Sequence, residues 1–173
     1  MNINQLILER YSVRDFSDHM IEQEKLDKIL EAGRLAPTAK NCQPHRVFVL
    51  SSDQAIKTIR EITPSAYNAP IVLMIGAKTS EAWINPYSHH SSAEMDASIV
   101  TTHMMLTAWE LGIGSVWVCW FDVERIKKAF TIPNDIDIFC LLPIGYPATS
   151  CVTSRNHLNR KSLADIVSII EVK

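Results

Sequence analysis

Pro70-Ile71-Val72-Leu73-Met74-Ile75-Gly76 is an unbroken apolar run of strand length. A strand with one wet face alternates apolar and polar residues, whereas a continuous run marks a strand covered on both faces. Such a strand needs elements packed above and below it, so this run predicts the interior of a layered α/β or α+β domain. Upstream, Arg46 to Leu50 is rich in β-branched and aromatic residues and reads as a second strand. Downstream, Val116 to Phe121 and Ile136 to Ile144 are two more strand-like runs, the last closed by Gly145 and Pro147.

Helices are expected between these strands. Ile3, Leu6 and Ile7 have helical spacing within Asn2 to Glu9. A second helix is expected from Glu22 to Leu35, with Leu26, Ile29 and Leu30 as its apolar stripe and Pro37 beyond its end. Ala55 to Ile62 reads as a short helix, and Asp122 as the N-cap of another in which Val123, Ile126 and Phe130 face inward. Ser162 and Asp165 resemble a capping box ahead of Ile166 and Ile169. The stretch Ala82 to Ser92, with Trp83, Pro86, Tyr87 and paired histidines, reads as a loop.

The segment from Ala93 to Leu111 is the longest expected helix and ends at Gly112-Ile113-Gly114. Ile99, Val100, His103, Met104, Leu106, Ala108 and Leu111 leave it little polar surface. A helix apolar nearly all round has to be covered on several sides. In a chain of 173 residues a second subunit is a natural cover.

Length and composition fit one domain spanning residues 1–173, with 47% hydrophobic and 21% charged residues and neither repeats nor a linker. A net charge of −2 with mixed signs excludes the electrostatic footprint of a nucleic-acid or anionic-membrane binder. No basic region followed by a long apolar run opens the chain, and no apolar segment reaches the ~18 residues of a membrane span. Cys42, Cys119, Cys140 and Cys151 are scattered, which fits reduced thiols and a cytoplasmic location.

The chain lacks GxGxxG, Walker A, HExxH and GxSxG patterns and has no convincing zinc spacing. An enzyme of this kind borrows chemistry from an organic cofactor. Four segments are candidates. Arg10, Ser12 and Arg14 alternate, so in an extended segment they converge on one side, and guanidiniums suit phosphate; a solvated basic turn is the alternative. Ala36 to Pro44 is rich in amide and hydroxyl groups suited to the edge of a heteroaromatic ring, or else makes ordinary turns around two prolines. Gly112 to Phe121 could let a flat ligand lie against backbone, or is a core strand with tryptophans. Arg155, His157, Arg160 and Lys161 form a basic cluster or a solvated surface.

In order, an RxSxR segment, a PTxxNxQP loop, a GxGSxW strand, an LPxGYP turn and a terminal RK pair resemble the FMN-dependent nitroreductase family, from Arg10 to Lys161. The resemblance implies an α+β, three-layer α/β/α fold with a central mixed sheet flanked by helices. It also implies a homodimer built on the long helix, with two interfacial FMN sites. Arg10, Ser12 and Arg14 would hold the phosphate and the pyrimidine side of the ring, with Arg160 and Lys161 closing on the phosphate. Pro37, Thr38, Asn41 and Gln43 would belong to the cofactor site, the last three from the partner subunit. Val118, Cys119 and Trp120 would run past the flavin with a backbone N–H near N5.

The implied activity is ping-pong, two-electron transfer from NADH or NADPH to small aromatic acceptors such as nitroaromatics and quinones. No catalytic side chain is assigned, because flavin N5 carries the hydride. Tyr11 departs from the basic residue common in relatives, and bulky Cys119 and Trp120 would narrow the pocket. Rival readings are a flavin-binding protein without turnover and a reductive dehalogenase or flavin-fragmenting enzyme. A metal site built from His89, His90, Glu94 and His103 is a further rival, since His90 and Glu94 have i,i+4 spacing.

Overall fold

A computed structural model describes residues 2–172. The chain runs α1 (Ile3–Glu9), α2 (Gln23–Arg34), β1 (His45–Leu50), α3 (Asp53–Ile62), β2 (Ile71–Lys78), α4 (Ala93–Glu110), β3 (Gly114–Ser115), α5 (Val123–Phe130), β4 (Ile136–Gly145) and α6 (Leu163–Ile166). The strands form one sheet in the order β1-β2-β4-β3.

The apolar run 71–75 occupies the sheet interior, as its pattern requires. Val72 and Met74 point to one side, against Ile56 and Ile59 of α3 and Ile126 of α5. Ile71, Leu73 and Ile75 point to the other, against Leu26 and Ile29 of α2 and Val100, Met104 and Ala108 of α4. The result is a three-layer α+β arrangement. Gly33 lets α2 approach α4 closely: a Cβ there would lie 2.9 Å from Met104 Cγ.

Four features differ from the sequence reading. The named strands all pair antiparallel, and the parallel component of the sheet shrinks to an isolated bridge between Ser12 and Ser115. The expected strand 116–121 is discontinuous. Strand β3 covers only Gly114–Ser115, and pairing with β4 resumes at Val118, whose N–H and C=O both bond Leu141 at 2.9 Å. Between them Val116 N–H donates to Pro143 C=O at 3.2 Å, and proline has no N–H to return the bond.

The third difference is the C-terminus. Asp165 accepts hydrogen bonds from the N–H and Oγ of Ser162, as a capping box would, but α6 runs for only four residues. Ile166 and Ile169 are 64% and 89% exposed. Helix α4 is also less evenly covered than its composition implies. It buries Ala97, Val100, Met104 and Ala108, while Met95 and His103 face outward. Among the described residues, no helix is long and apolar enough to cross a membrane.

Candidate functional site

Residues 10–14 run alongside β3: Val13 N–H donates to Ser115 C=O at 3.0 Å. Alternation then sorts the side chains. Val13 is fully buried and packs against Gly114, where any Cβ would lie 2.6 Å from Val13 Cγ2. Tyr11 sets its ring edge-on to Trp109, with centroids 5.1 Å apart. Its alternation with Arg10 and Ser12 makes it a packing residue as well as a wall of the site. Arg10, Ser12 and Arg14 lie on a pocket of about 160 Å³ that Asn156, His157 and Arg160 close from the C-terminal segment. Lys161 is exposed and lies outside that pocket.

The pocket is strongly cationic. Among the described residues Arg14 Nη1 donates only to the Ser12 carbonyl, at 3.2 Å. Arg160 Nη1 donates to the carbonyls of Asn156 and Asn159, each at 3.0 Å. Among the described residues no carboxylate pairs with Arg10, Arg14 or Arg160. Burial, and then the charge of Arg160, push the Arg10 guanidinium below its ordinary range. Like charges held together and partly dried are relieved by a bound anion, and planar guanidiniums suit phosphate oxygens.

The loop after α2 has an unusual backbone. Lys40, Asn41 and Gln43 all have positive φ, at 49°, 56° and 51°. Residues with a Cβ rarely adopt this region, and several together need tight restraint. Thr38 Oγ1 accepts from Gln43 N–H at 3.1 Å, and Gln43 Nε2 donates to Asn41 C=O at 3.2 Å. The main anchor is Asp96, 1% exposed in the first turn of α4. Its carboxylate accepts from Ala39 N–H at 2.8 Å and from Ser92 Oγ at 2.7 Å. Sequence reasoning missed Asp96; the available signal was an acid at the start of an otherwise apolar helix. Asn41 and Gln43 are exposed, and Pro37, Thr38, Asn41 and Gln43 do not join the arginine pocket within one chain.

In the third segment the structure divides the labour. Val118 N–H is consumed by the sheet, whereas the N–H groups of Cys119 and Trp120 have no backbone partner among the described residues. Cys119 Sγ accepts from Trp117 Nε1 at 3.2 Å, and the buried Thr63 hydroxyl holds the Trp120 carbonyl at 2.6 Å. Trp120 is 74% exposed. These contacts fix a turn that presents two amides and an indole at the surface.

The histidines are not gathered. His89 and His90 lie in the exposed loop before α4, so His90 and Glu94 do not share a helix face, and His103 Nδ1 sits 2.9 Å from Ile99 C=O. Among the described residues no three His, Cys, Asp or Glu side chains converge as metal ligands. A cavity of about 510 Å³ between α3 and residues 17–20 contains none of the candidate cofactor residues.

The model of the nitroreductase family matches residues 7–67 and 60–146. The chain belongs to the nitroreductase family. A nitroreductase family protein of Clostridium difficile 630 shares 35% identity over 99% of this chain and 100% of its own, with a TM-score of 0.92. A candidate NADH dehydrogenase/NAD(P)H nitroreductase of Archaeoglobus fulgidus is 35% identical, covering 82% of this chain and 83% of that protein. An FMN-dependent nitroreductase of Clostridium difficile R20291, at 24% identity, shares the fold with a TM-score of 0.79 over 98% of this chain and 100% of that one. The chain is thus a nitroreductase-family oxidoreductase, with the arginine pocket, the strained loop and the 118–120 turn on its nitroreductase fold.

Proposed function

We propose that the chain is a cytoplasmic, homodimeric, FMN-dependent NAD(P)H oxidoreductase that reduces nitroaromatics, quinones or similar small aromatic acceptors. The observation that carries this reading is the convergence of three guanidiniums without carboxylate partners, with a serine, on one small pocket. That donor set fits a phosphate monoester. Bound FMN would supply the hydride chemistry, taking two electrons from the nicotinamide and giving them to the acceptor in a second half-reaction.

The chain's own part is to bind and orient. Arg10, Arg14, Ser12 and Arg160 hold the phosphate, and a guanidinium near the pyrimidine edge favours negative charge there. The free amides of Cys119 and Trp120 are the donors available to the ring, a narrower assignment than Val118 to Trp120 as a whole. Thr38, Asn41 and Gln43 present polar groups on a rigid loop that a second copy would bring to the site, with Pro37 at its start. Lys161 adds charge nearby but is not a wall of the pocket.

The size of the pocket also supports a dimer. About 160 Å³ accepts a phosphate end but not a tricyclic ring, so the remaining walls have to come from elsewhere. The tail exposes Val152, Leu158, Leu163, Ile169, Ile170 and Val172 at 75–95%, apolar surface that a second copy would cover.

The purified protein is expected to be yellow and to bleach within seconds on mixing with NADPH. A flavin reservoir would stay yellow, and a colourless monomer that cannot be loaded with FMN would overturn the proposal. Arg10→Ala should release flavin while leaving the dimer intact; unchanged flavin occupancy would remove the phosphate assignment.

A further inference from the structure

Residues 114–118 pair with β4 in one constant register: Gly114 opposite Gly145, Ser115 opposite Ile144 and Val118 opposite Leu141. The next step along that ladder sets Cys119 opposite Cys140. Val118 and Leu141 exchange both backbone hydrogen bonds, so theirs is a hydrogen-bonded pair. The adjacent pair is therefore of the non-hydrogen-bonded kind, in which Cα atoms sit ~4.5 Å apart with side chains on the same face. That spacing lies at the short end of the ~4.4–6.8 Å range that a disulfide spans.

The side chains agree with the register. Trp117 packs on the α2/α4 side of the sheet, Cys140 is buried on that same side, and Cys119 Sγ contacts the Trp117 indole. Both cysteines are free thiols, but their surroundings are opposite. Cys119 is exposed. Cys140 is 1% exposed, 3.4 Å from Thr101 Oγ1 of α4, and burial pushes its thiol up to about 12. The charge of Cys119 weighs on the Cys140 thiol as well, which places the two groups close together. An accessible thiol paired with a protected one is the arrangement of an attacking and a resolving cysteine.

We propose that Cys119 and Cys140 form a reversible cross-strand disulfide under hydroperoxide. The Cys119 thiolate attacks the peroxide O–O bond, giving a sulfenic acid at Cys119 and hydroxide. The Cys140 sulfur then displaces the sulfenic oxygen as its own proton leaves, so an S–S bond forms and water departs. In sum two thiols are oxidised by two electrons and one hydrogen peroxide is reduced to two waters. Thiol–disulfide exchange with an ordinary thiol breaks the bond and restores the pair. Because Cys119 adjoins the amides assigned above to the cofactor, the bond would pin that turn to the sheet; that consequence rests on the proposed function, but the bond does not.

The test uses the protein as isolated, treated with a few equivalents of hydrogen peroxide, blocked with an alkylating agent and digested without reductant. The expected result is a peptide pair joined through Cys119 and Cys140, a loss of two of the four thiols, and full recovery with dithiothreitol. Cys140→Ser should then accumulate a dimedone-reactive sulfenic acid at Cys119 and form no such pair, with melting showing that it remains folded. Oxidation of Cys119 to sulfinic acid with Cys140 still reduced would overturn the proposal, as would pairing of Cys119 with Cys42, Cys151 or another chain. Both results read the bond itself, so they stand whether or not FMN proves to be the cofactor.

Discussion

Strand β2 and the tail after Cys151 are both rich in large apolar residues, yet their surroundings are opposite. Ile71, Val72, Leu73, Met74 and Ile75 are at most 2% exposed. In the tail, Val152, Leu158, Leu163, Ile166, Val167, Ile169, Ile170 and Val172 are 57–95% exposed. The difference teaches that hydrophobic content states a demand for cover but not its source. The strand is covered by helices of its own chain, whereas the tail has no such neighbours, and in the proposed dimer it meets the other copy.

Stability measurements can break this contrast. The largest effect is expected from Leu73→Ala, which should lower unfolding free energy by about 2–5 kcal/mol in urea titration, independent of protein concentration. Replacing Ile169 and Ile170 together by Asp should instead dissociate the dimer, read by light scattering, and make melting depend on concentration. If the tail substitutions change neither mass nor melting, the tail is plain solvated chain and the contrast says nothing about assembly.

Smaller effects sharpen it. Removing the Arg10 guanidinium loses charge-assisted hydrogen bonds worth about 1.5–3 kcal/mol, so FMN should bind roughly 10- to 100-fold more weakly in a fluorescence titration. Asp96→Ala leaves Ala39 N–H and Ser92 Oγ without their acceptor and should cost about 1–3 kcal/mol, while faster proteolysis at residues 38–43 reports the freed loop.

The smallest effect concerns His45. Burial, and then Arg46, lower its pKa, although Asp96 pulls the other way, and its Nδ1 is buried without a partner among the described residues. The folded state therefore resists the proton that the unfolded state takes near pH 6.5. More protons bind the unfolded chain in that window, so stability falls as pH drops below about 6.5 and levels off below the lowered folded value. His45→Gln should flatten that dependence, read as a smaller difference in Tm between pH 7.5 and 5.5 than the parent protein shows.

What could be seen in the sequence follows the same division between local and long-range causes. The buried strand, the amphipathic α2 and the Asp122 cap depend on residues close in sequence, and they appear where their patterns predict. The alternating Arg10, Ser12 and Arg14 were legible as a convergent set because an extended segment has a fixed period. That Arg160 joins them from far along the chain came from the family resemblance, since no local pattern brings it there. Asp96 was hidden because its partner is a backbone amide in a distant loop. The strand expected at 116–121 breaks for a reason written in another strand, at Pro143.

That proline has a kinetic consequence. Val116 receives only half of the usual exchange with its neighbour, so the ribbon from Gly114 to Val118 is fastened at its ends and slack in between. In amide hydrogen–deuterium exchange this ribbon should open in smaller, faster events than the β2–β4 seam beside it. The slack therefore ends at Val118, whose paired bonds to Leu141 hold the entry to the turn carrying Cys119 and Trp120, so motion in the ribbon is cut off before it reaches that turn.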